Sequence, residues 1–249
     1  MSRVRGVVGI LGASGGLGAS VLAGAVLARG TAAGLVAVAV DGVRFGGGLD
    51  VTLGHEQEPG LRWPDLRRVR GRVDGRQLLG HLPGAPGAPV LSFDRSRDVD
   101  LSPAAVEGVL TGLRDACDLV VLDLPRQETP GAPQWLDRCD QVILLVGTGP
   151  RALAAGCALA PVVQRRPVVQ RRAGAPWLCV RSSGRDSGLA ELTGLALDLP
   201  LVAVLRDDPR IEADLVHGAI PGSSRRGALV AAADVVLARL ADDGAGQAA

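Results

Sequence analysis

The residues best suited to chemistry are seven near the N-terminus, GASGGLG, at positions 12–18. They follow the apolar run Val4–Leu11 and precede a stretch rich in alanine, valine and leucine, so they are predicted to join a strand to a helix. Free backbone N–H groups and the positive end of the helix dipole favour a phosphate at such a junction. The pattern therefore predicts an anion-binding loop. A tight turn without a ligand is the alternative, although so many glycines are costly unless backbone must come close to something.

One interpretation of the loop is a dinucleotide site, because GASGGLG resembles the glycine motif of short-chain dehydrogenases. Asp41 ends the second predicted strand, where an acid that binds ribose would be expected. Those dehydrogenases use a catalytic Tyr and Lys, assisted by Ser and Asn. The sequence contains no Lys, Tyr or Asn, and all 27 of its Lys-or-Arg residues are arginine. A catalytic short-chain dehydrogenase is therefore excluded, and a non-catalytic Rossmann domain that binds NAD(P) remains as an alternative.

The loop also resembles the deviant Walker motif, a phosphate loop with the pattern Lys-Gly-Gly-x-Gly-Lys-Ser/Thr. On this chain the pattern falls on Ser14, Gly15, Gly16, Leu17, Gly18, Ala19 and Ser20. The three glycines and the final hydroxyl agree with the pattern, whereas Ser14 and Ala19 occupy the two lysine positions. The loop alone is weak evidence for a nucleotide, so the rest of the chain must decide.

Other segments favour the nucleotide-binding interpretation. DLVVLDLP, residues 118–125, has the form of a Walker B strand, in which apolar residues end in an acid that is followed by proline. Residues 197–218 resemble the late strand and helix of the MinD/ParA family. The sequence is more closely similar to the CpaE-like branch of that family, found in actinobacteria. The stretches that carry this resemblance are GGGLDVTLG (46–54), PGLRWPDL (59–66), RGRVDGRQLLGHLP (70–83) and LSFDR (91–95).

The resemblance implies roles for several residues. In the family, the amides of the loop cradle the phosphates and the loop Ser/Thr binds Mg²⁺. Ser20 matches that hydroxyl, and Asp123 matches the Walker B acid that holds the metal through water. Asp41 matches an acid that orients the attacking water, although the second acid expected two residues later is Val43. The implied cofactor is ATP or ADP with Mg²⁺.

The missing lysines lower the expected activity. A charged group aimed at the transferring phosphoryl contributes on the order of 3–4 kcal/mol, or about a hundred- to thousandfold in rate. Arg44, Arg126 and Arg151 follow strand ends near the expected site, but the fork of arginine differs from the point charge of lysine. The sequence therefore predicts a degenerate member that binds ATP and hydrolyses it weakly or not at all. An active ATPase switch, with arginine replacing the loop lysine, is the alternative.

The resemblance also implies partners and a location. The CpaE-like branch is linked to septum-site determination and to Flp (tight-adherence) pilus loci, so we expect pilus-assembly or cell-division proteins as partners, and a homodimer. A formal net charge of +1 gives no support for nucleic acid, and the basic run Arg165–Arg172 is interpreted as a solvated connection. Ala228–Leu240 is interpreted as a helix packed on the sheet, so membrane contact is not indicated. Without a signal-peptide pattern, the expected location is cytoplasmic, with peripheral contact at the inner face of the membrane as the alternative.

The elements that must position these residues alternate along the chain. Near-continuous apolar runs, typical of strands covered on both faces, are Val4–Leu11, Leu35–Val40, Pro89–Phe93, Leu119–Leu124, Gln141–Val146, Trp177–Arg181 and Leu201–Leu205. Predicted helices are Gly18–Arg29, Pro103–Ala116, Pro150–Val163, Leu189–Leu195, Pro209–His217 and Arg226–Leu240. This alternation predicts one α/β domain over residues 1–241, a doubly wound, mostly parallel sheet with helices on both faces. Residues 54–88 are expected to form an irregular insert over one edge of the sheet, and 242–249 a disordered tail.

Overall fold

The computed structural model describes residues 4–126, 135–166, 175–183 and 188–246. Within those ranges the strands form one seven-stranded sheet, in the order β3-β2-β4-β1-β5-β6-β7, and each neighbouring pair is parallel. The strands are β1 (Gly6–Gly12), β2 (Ala37–Asp41), β3 (Val90–Leu91), β4 (Leu119–Asp123), β5 (Gln141–Gly147), β6 (Trp177–Ser182) and β7 (Leu201–Arg206). The predicted parallel α/β fold is confirmed.

Helices cover both faces of this sheet. They are α1 (Ala19–Ala32), α2 (Leu49–Thr52), α3 (Trp63–Leu66), α4 (Gly75–Leu79), α5 (Pro103–Ala116), α6 (Pro150–Gln164), α7 (Leu189–Leu197), α8 (Arg210–Val216) and α9 (Ala228–Gly246). Buried residues of α1 and α9 share one hydrophobic cluster, and those of α5, α6 and α7 share the other. Helix α5 begins as its sequence predicts, since the Ser102 side chain accepts a hydrogen bond from the Ala105 amide and Pro103 follows the cap.

The segment 54–88 contains the short helices α3 and α4, as expected of an irregular insert. Its apolar side chains also enter the core, because Trp63 is fully buried and belongs to the cluster under α5. The Trp63 ring lies edge-on to Trp135, with 5.7 Å between centroids, and tilted against Phe93, at 6.3 Å. The insert therefore builds part of the main core beside the β3 edge of the sheet.

The C-terminal helix is longer than its sequence pattern predicts. Helix α9 continues to Gly246, so residues 242–246, which were expected in a disordered tail, are helical. The alanine-rich sequence has a high helix propensity, and Arg239 forms an ion pair of 3.4 Å with Asp243 one turn further on. Within the basic run, residues 167–172 lie outside the described residues. In the described part of the chain, no helix is long and apolar enough to cross a membrane.

Candidate functional site

The glycine loop joins β1 to α1 at the carboxyl edge of the sheet, between Gly12 and Ala19. The Ala13 amide donates to the carbonyl of Leu145, 2.9 Å away, which ties the start of the loop to β5. Gly16 and Gly18 have φ angles of 74° and 89°, a region that side-chain-bearing residues rarely adopt. Gly18 precedes α1 without a side-chain hydrogen bond to cap the helix. The junction thus has amides that no side chain caps, the arrangement in which helix N-termini bind anions.

Ser20 and Asp123, the two residues matched to a metal, are in direct contact. The Ser20 hydroxyl donates to Oδ2 of Asp123 over 2.6 Å. Asp123 ends β4, which pairs with β1 so that Asp123 lies level with Ile10. Asp123 is 3% exposed, and among the described residues its Oδ1 accepts no hydrogen bond. The fold therefore places a buried carboxylate with one available oxygen at the foot of the loop.

The environment of Asp123 makes its charge adjustable. Burial and the negative charge of Asp41 raise the pKa of this carboxyl, the hydrogen bond from Ser20 opposes the rise, and the net pKa is about 7. A cation beside the carboxylate would favour its ionised form, because it supplies the stabilisation that water cannot give there. Binding of a cation would therefore be coupled to ionisation of Asp123.

Asp41 lies level with Asp123 on the neighbouring strand, but its carboxylate is occupied. Its Oδ1 accepts from the Val43 amide at 2.8 Å, and its Oδ2 accepts from the Leu49 amide at 2.9 Å and the Ser92 hydroxyl at 2.7 Å. Asp41 is 1% exposed, and burial raises its pKa. These bonds hold both ends of the loop 42–48 and leave little surface for a catalytic water.

Below Asp41 lies a buried polar network that sequence reasoning missed. Asp50 is fully buried, and its Oδ1 accepts from the Ser92 hydroxyl at 3.3 Å and from Arg95 at 3.0 Å. Arg62 is 7% exposed and places its Nε 3.5 Å from the other Asp50 oxygen. Arg62 also donates to the backbone carbonyls of His55 and Glu56, so the segment that follows α2 folds over its guanidinium.

The stretches PGLRWPDL and LSFDR gain a structural explanation from this network. The first contains Arg62 and Trp63, and the Trp63 indole donates to the Asp41 carbonyl at 2.8 Å. The second contains Ser92 and Arg95. The available sequence signal was the placement of Arg, Trp and Pro without any helical or strand periodicity. These segments therefore support the Asp41 strand end from below.

The arginines predicted near the site differ in their surroundings. Arg44 forms ion pairs with Asp98 and Asp100, and its guanidinium lies over the Phe45 ring at 4.9 Å. Arg151 is exposed at the start of α6. The Arg126 guanidinium covers Gly15, since a Cβ at Gly15 would lie 3.7 Å from its Nη2.

A further arginine beside the loop, Arg181, was not predicted. It comes from the carboxyl end of β6 and donates from Nη1 to the Gly16 carbonyl at 2.9 Å. Its Nε donates to Asp207 at 2.7 Å. The sequence signal was a charged residue ending an apolar strand, at the edge where the carboxyl ends of all parallel strands meet.

The first strand of this parallel sheet runs through a glycine loop into a helix. An acid on the adjacent strand accepts a hydrogen bond from the first turn of that helix. Together these features define a P-loop NTPase fold. Solved structures agree. The ParA family ATPase of Chlorobium tepidum TLS matches 96% of this chain and 98% of its own, with a TM-score of 0.77 and 15% identity. The MinD cell division protein of Aquifex aeolicus matches 94% and 95%, with a TM-score of 0.72 and 15% identity. The septum site-determining protein MinD complexed with Mg-ADP, from Pyrococcus horikoshii OT3, matches 95% and 96%, with a TM-score of 0.67 and 18% identity. The fold is therefore that of the MinD/ParA P-loop NTPases.

Relatives by sequence come from Mycobacterium tuberculosis. The uncharacterized proteins Rv3660c (strain ATCC 25618 / H37Rv) and MT3760 (strain CDC 1551 / Oshkosh) are each 36% identical to this chain over 245 residues. The match takes in 97% of this chain and 65% of each relative, so the chain spans just under two thirds of their length. No family model matches the chain.

Proposed function

We propose that this chain binds ATP or ADP with Mg²⁺ in its glycine loop and hydrolyses ATP weakly or not at all. The observation that carries the proposal is the 2.6 Å hydrogen bond between Ser20 and Asp123 at the foot of an uncapped glycine loop. A hydroxyl and a carboxylate are hard oxygen ligands of the kind Mg²⁺ prefers. The pair joins residues far apart in sequence, and a Rossmann dinucleotide site has no use for it.

The proposed site is incomplete without the nucleotide. Among the described residues, no group of three or more His, Cys, Asp or Glu side chains is arranged to hold a metal ion. Mg²⁺ usually keeps several waters and takes phosphate oxygens beside one or two carboxylates, so a cage of protein ligands is not needed. The amides of Ser14–Ser20 would hold the phosphates, Ser20 would bind the ion, and Asp123 would hold it through water. The Mg-ADP bound to MinD of Pyrococcus horikoshii supports this choice of ligand.

Weak hydrolysis follows from what the site lacks. Neither loop position that would carry lysine has a cation, because residues 14 and 19 are Ser and Ala. The carboxylate of Asp41 already accepts three hydrogen bonds and is 1% exposed, so a water has little access to its remaining lone pair. Since phosphoryl transfer depends on positioning and charge, both features lower the rate more than the affinity.

For the biological role we propose spatial organisation of septum placement or of Flp pilus assembly. The resemblance of four sequence stretches to the CpaE-like branch supports this role, as does the fold shared with MinD cell division proteins. The partners would be cell-division or pilus-assembly proteins, together with a second copy of this chain. A protein that binds nucleotide without rapid turnover would act there as a scaffold through its surfaces.

Calorimetry with Mg²⁺-ATP, Mg²⁺-ADP and NADPH tests the proposed site. We expect the wild-type chain to bind ATP and ADP but not NADPH. Ser20→Ala and Asp123→Ala should each weaken ATP binding by about ten- to hundredfold, because the first removes a direct ligand of the ion and the second removes the carboxylate that holds it through water. Ser223→Ala is the matched control, since that serine is exposed in the turn before α9. Binding of NADPH alone would support the Rossmann alternative instead.

Steady-state hydrolysis tests the second half of the proposal. We expect ATP turnover in the wild-type chain to be undetectable or weak, about a hundred- to thousandfold below that of an ATPase with the loop lysine. Turnover at ordinary ATPase rates, lost on Asp123→Ala, would contradict the degenerate assignment and favour an active switch.

A further inference from the structure

A bound triphosphate needs more positive charge than the loop itself supplies. Residues 12–20, GASGGLGAS, contain no cation, and the helix dipole of α1 is equivalent to only about half an elementary charge. In phosphate loops of the common pattern, a lysine reaches the β- and γ-phosphates. Mg²⁺ would offset two of the negative charges of a bound triphosphate, and a cation from another element would offset more of the remainder.

Two guanidinium groups lie against the loop, and they differ in how many of their N–H donors form hydrogen bonds. Arg181 has two of its donors in use, one on the Gly16 carbonyl at 2.9 Å and one on Asp207 at 2.7 Å. Arg126 lies over Gly15, with Nη2 and Nη1 at 3.7 and 3.9 Å from a Cβ built there. Among the described residues, Arg126 has no ion pair or hydrogen bond, and its side chain is exposed. The fork of Arg126 is thus available beside the loop.

The location of Arg126 also fits a phosphate. It lies three residues beyond Asp123 on the segment that follows β4, so one strand end supplies both an acid for the ion and a cation for the anion. A guanidinium presents paired donors that match two phosphate oxygens. Arg44, by contrast, is neutralised by Asp98 and Asp100.

We propose that Arg126 is the phosphate-binding cation of this site, supplied by the segment after β4 in place of a lysine in the loop. Arg181 is a positioning residue that fixes the shape of the loop through the Gly16 carbonyl. The proposal rests on the nucleotide site proposed above and assigns the charge on which its preference for a triphosphate depends. The two arginines should therefore affect binding in different ways.

Calorimetry with Mg²⁺-ATP and Mg²⁺-ADP separates the two roles. Arg126→Ala should weaken ATP binding by about ten- to hundredfold and ADP binding by less, because the lost charge faces the outer phosphates. Arg126→Lys should restore part of the ATP affinity, and its affinity should fall more steeply with salt than that of Arg126→Ala, because the restored contact is electrostatic. Arg181→Ala should weaken ATP and ADP by the same factor, since it alters the loop. Arg76→Ala, on the exposed side of α4, is the matched control and should leave both affinities unchanged.

The outcomes distinguish this proposal from the one on which it rests. If Ser20→Ala weakens ATP binding and Arg126→Ala does not, the nucleotide site stands and the assignment of Arg126 is overturned. The assignment also fails if Arg76→Ala weakens ATP binding as much as Arg126→Ala does, since the effect would then come from net charge. If the wild-type chain binds neither nucleotide, both proposals fail.

Discussion

At the scale of single residues, the burial of Asp123 destabilises the folded chain when this carboxyl is ionised. Burial raises its pKa in the folded chain to about 7 from the ordinary value of 3.8. Between these two values the folded state binds more protons than the unfolded state, so the contribution of Asp123 to stability falls as pH rises through this window. Below about pH 4 both states are protonated, and above about pH 7 both are ionised.

Asp123→Asn should therefore stabilise the chain in Mg²⁺-free buffer at high pH. We expect the free energy of unfolding to rise by about 2–4 kcal/mol above pH 7, with the gain shrinking steadily as the pH falls toward 4. Urea unfolding at several pH values measures this gap. Asp242→Asn, at an exposed position on α9, is the control and should show no such dependence. A gain of equal size at pH 5 and pH 8 would contradict the prediction.

The residues of the site were predictable from sequence to different degrees. Asp123 and Ser20 follow from motif spacing, because strand ends of a parallel sheet meet at one edge. Arg62, Trp63 and Ser92 were not predictable, since their contacts with Asp41 and Asp50 join segments that no periodic pattern relates. Motif position predicts a catalytic role for Asp41, and its three hydrogen-bond donors could be found only from the structure.

At the scale of elements, the strands were the most predictable part. Each apolar run predicted as a strand forms one, because strands covered on both faces need nearly every residue to be apolar. The run Pro89–Phe93 yields only Val90–Leu91, since Pro89 has no backbone N–H to donate and β3 lies at the edge of the sheet. The short helices α3 and α4 depend on tertiary contacts, so their limits could not be read from periodicity.

The contact between α5 and the segment before α4 is a second feature at this scale. A Cβ at Gly112 would lie 2.3 Å from the Val73 carbonyl oxygen, and one at Gly108 would lie 2.0 Å from that of Gly71. Both neighbours are backbone atoms, which cannot rotate away as a side chain would. The two glycines, one turn apart, thus allow the insert to lie directly on α5.

Gly112→Ala should for this reason destabilise the chain by about 1–3 kcal/mol, despite the higher helix propensity of alanine. The matched control is Gly80→Ala, at the end of α4, where the nearest atom would be 3.7 Å from the new Cβ and φ is −67°. The control should be neutral or slightly stabilising. Urea midpoints of the two variants and the wild type provide the measurement, and equal midpoints for both variants would contradict the close approach.

At the scale of the whole molecule, the sheet order accounts for the position of the candidate site. β1 lies between β4 and β5. Strands β2, β3 and β4 lie on one side of it, and β5, β6 and β7 lie on the other, so the strand order reverses at β1. Ligands of open α/β sheets bind beyond the carboxyl ends of the strands at such a reversal. The glycine loop after β1, Asp123 and Arg126 after β4, and Arg181 at the end of β6 all lie at that edge.

The C-terminal helix α9 packs on the sheet beside α1. Leu229, Ala233 and Val236 of α9 are buried in the cluster shared with α1, and the Arg29 Nε donates to Asp234 at 2.7 Å. The apolar side of α9 is therefore used inside the molecule. A membrane could use this side only if α9 left the sheet.

Deleting residues 228–249 should then abolish cooperative unfolding, because the inner faces of α1 and β7 would be exposed to water. Removing several buried apolar side chains at about 1.5–3 kcal/mol each exceeds the stability of a typical domain. Deleting only 247–249 is the matched control and should leave the thermal midpoint unchanged, since the buried residues of α9 all precede that segment. Circular dichroism on heating measures both. A chain lacking 228–249 that melts cooperatively at the wild-type midpoint would show that α9 is dispensable to the core and free to bind elsewhere.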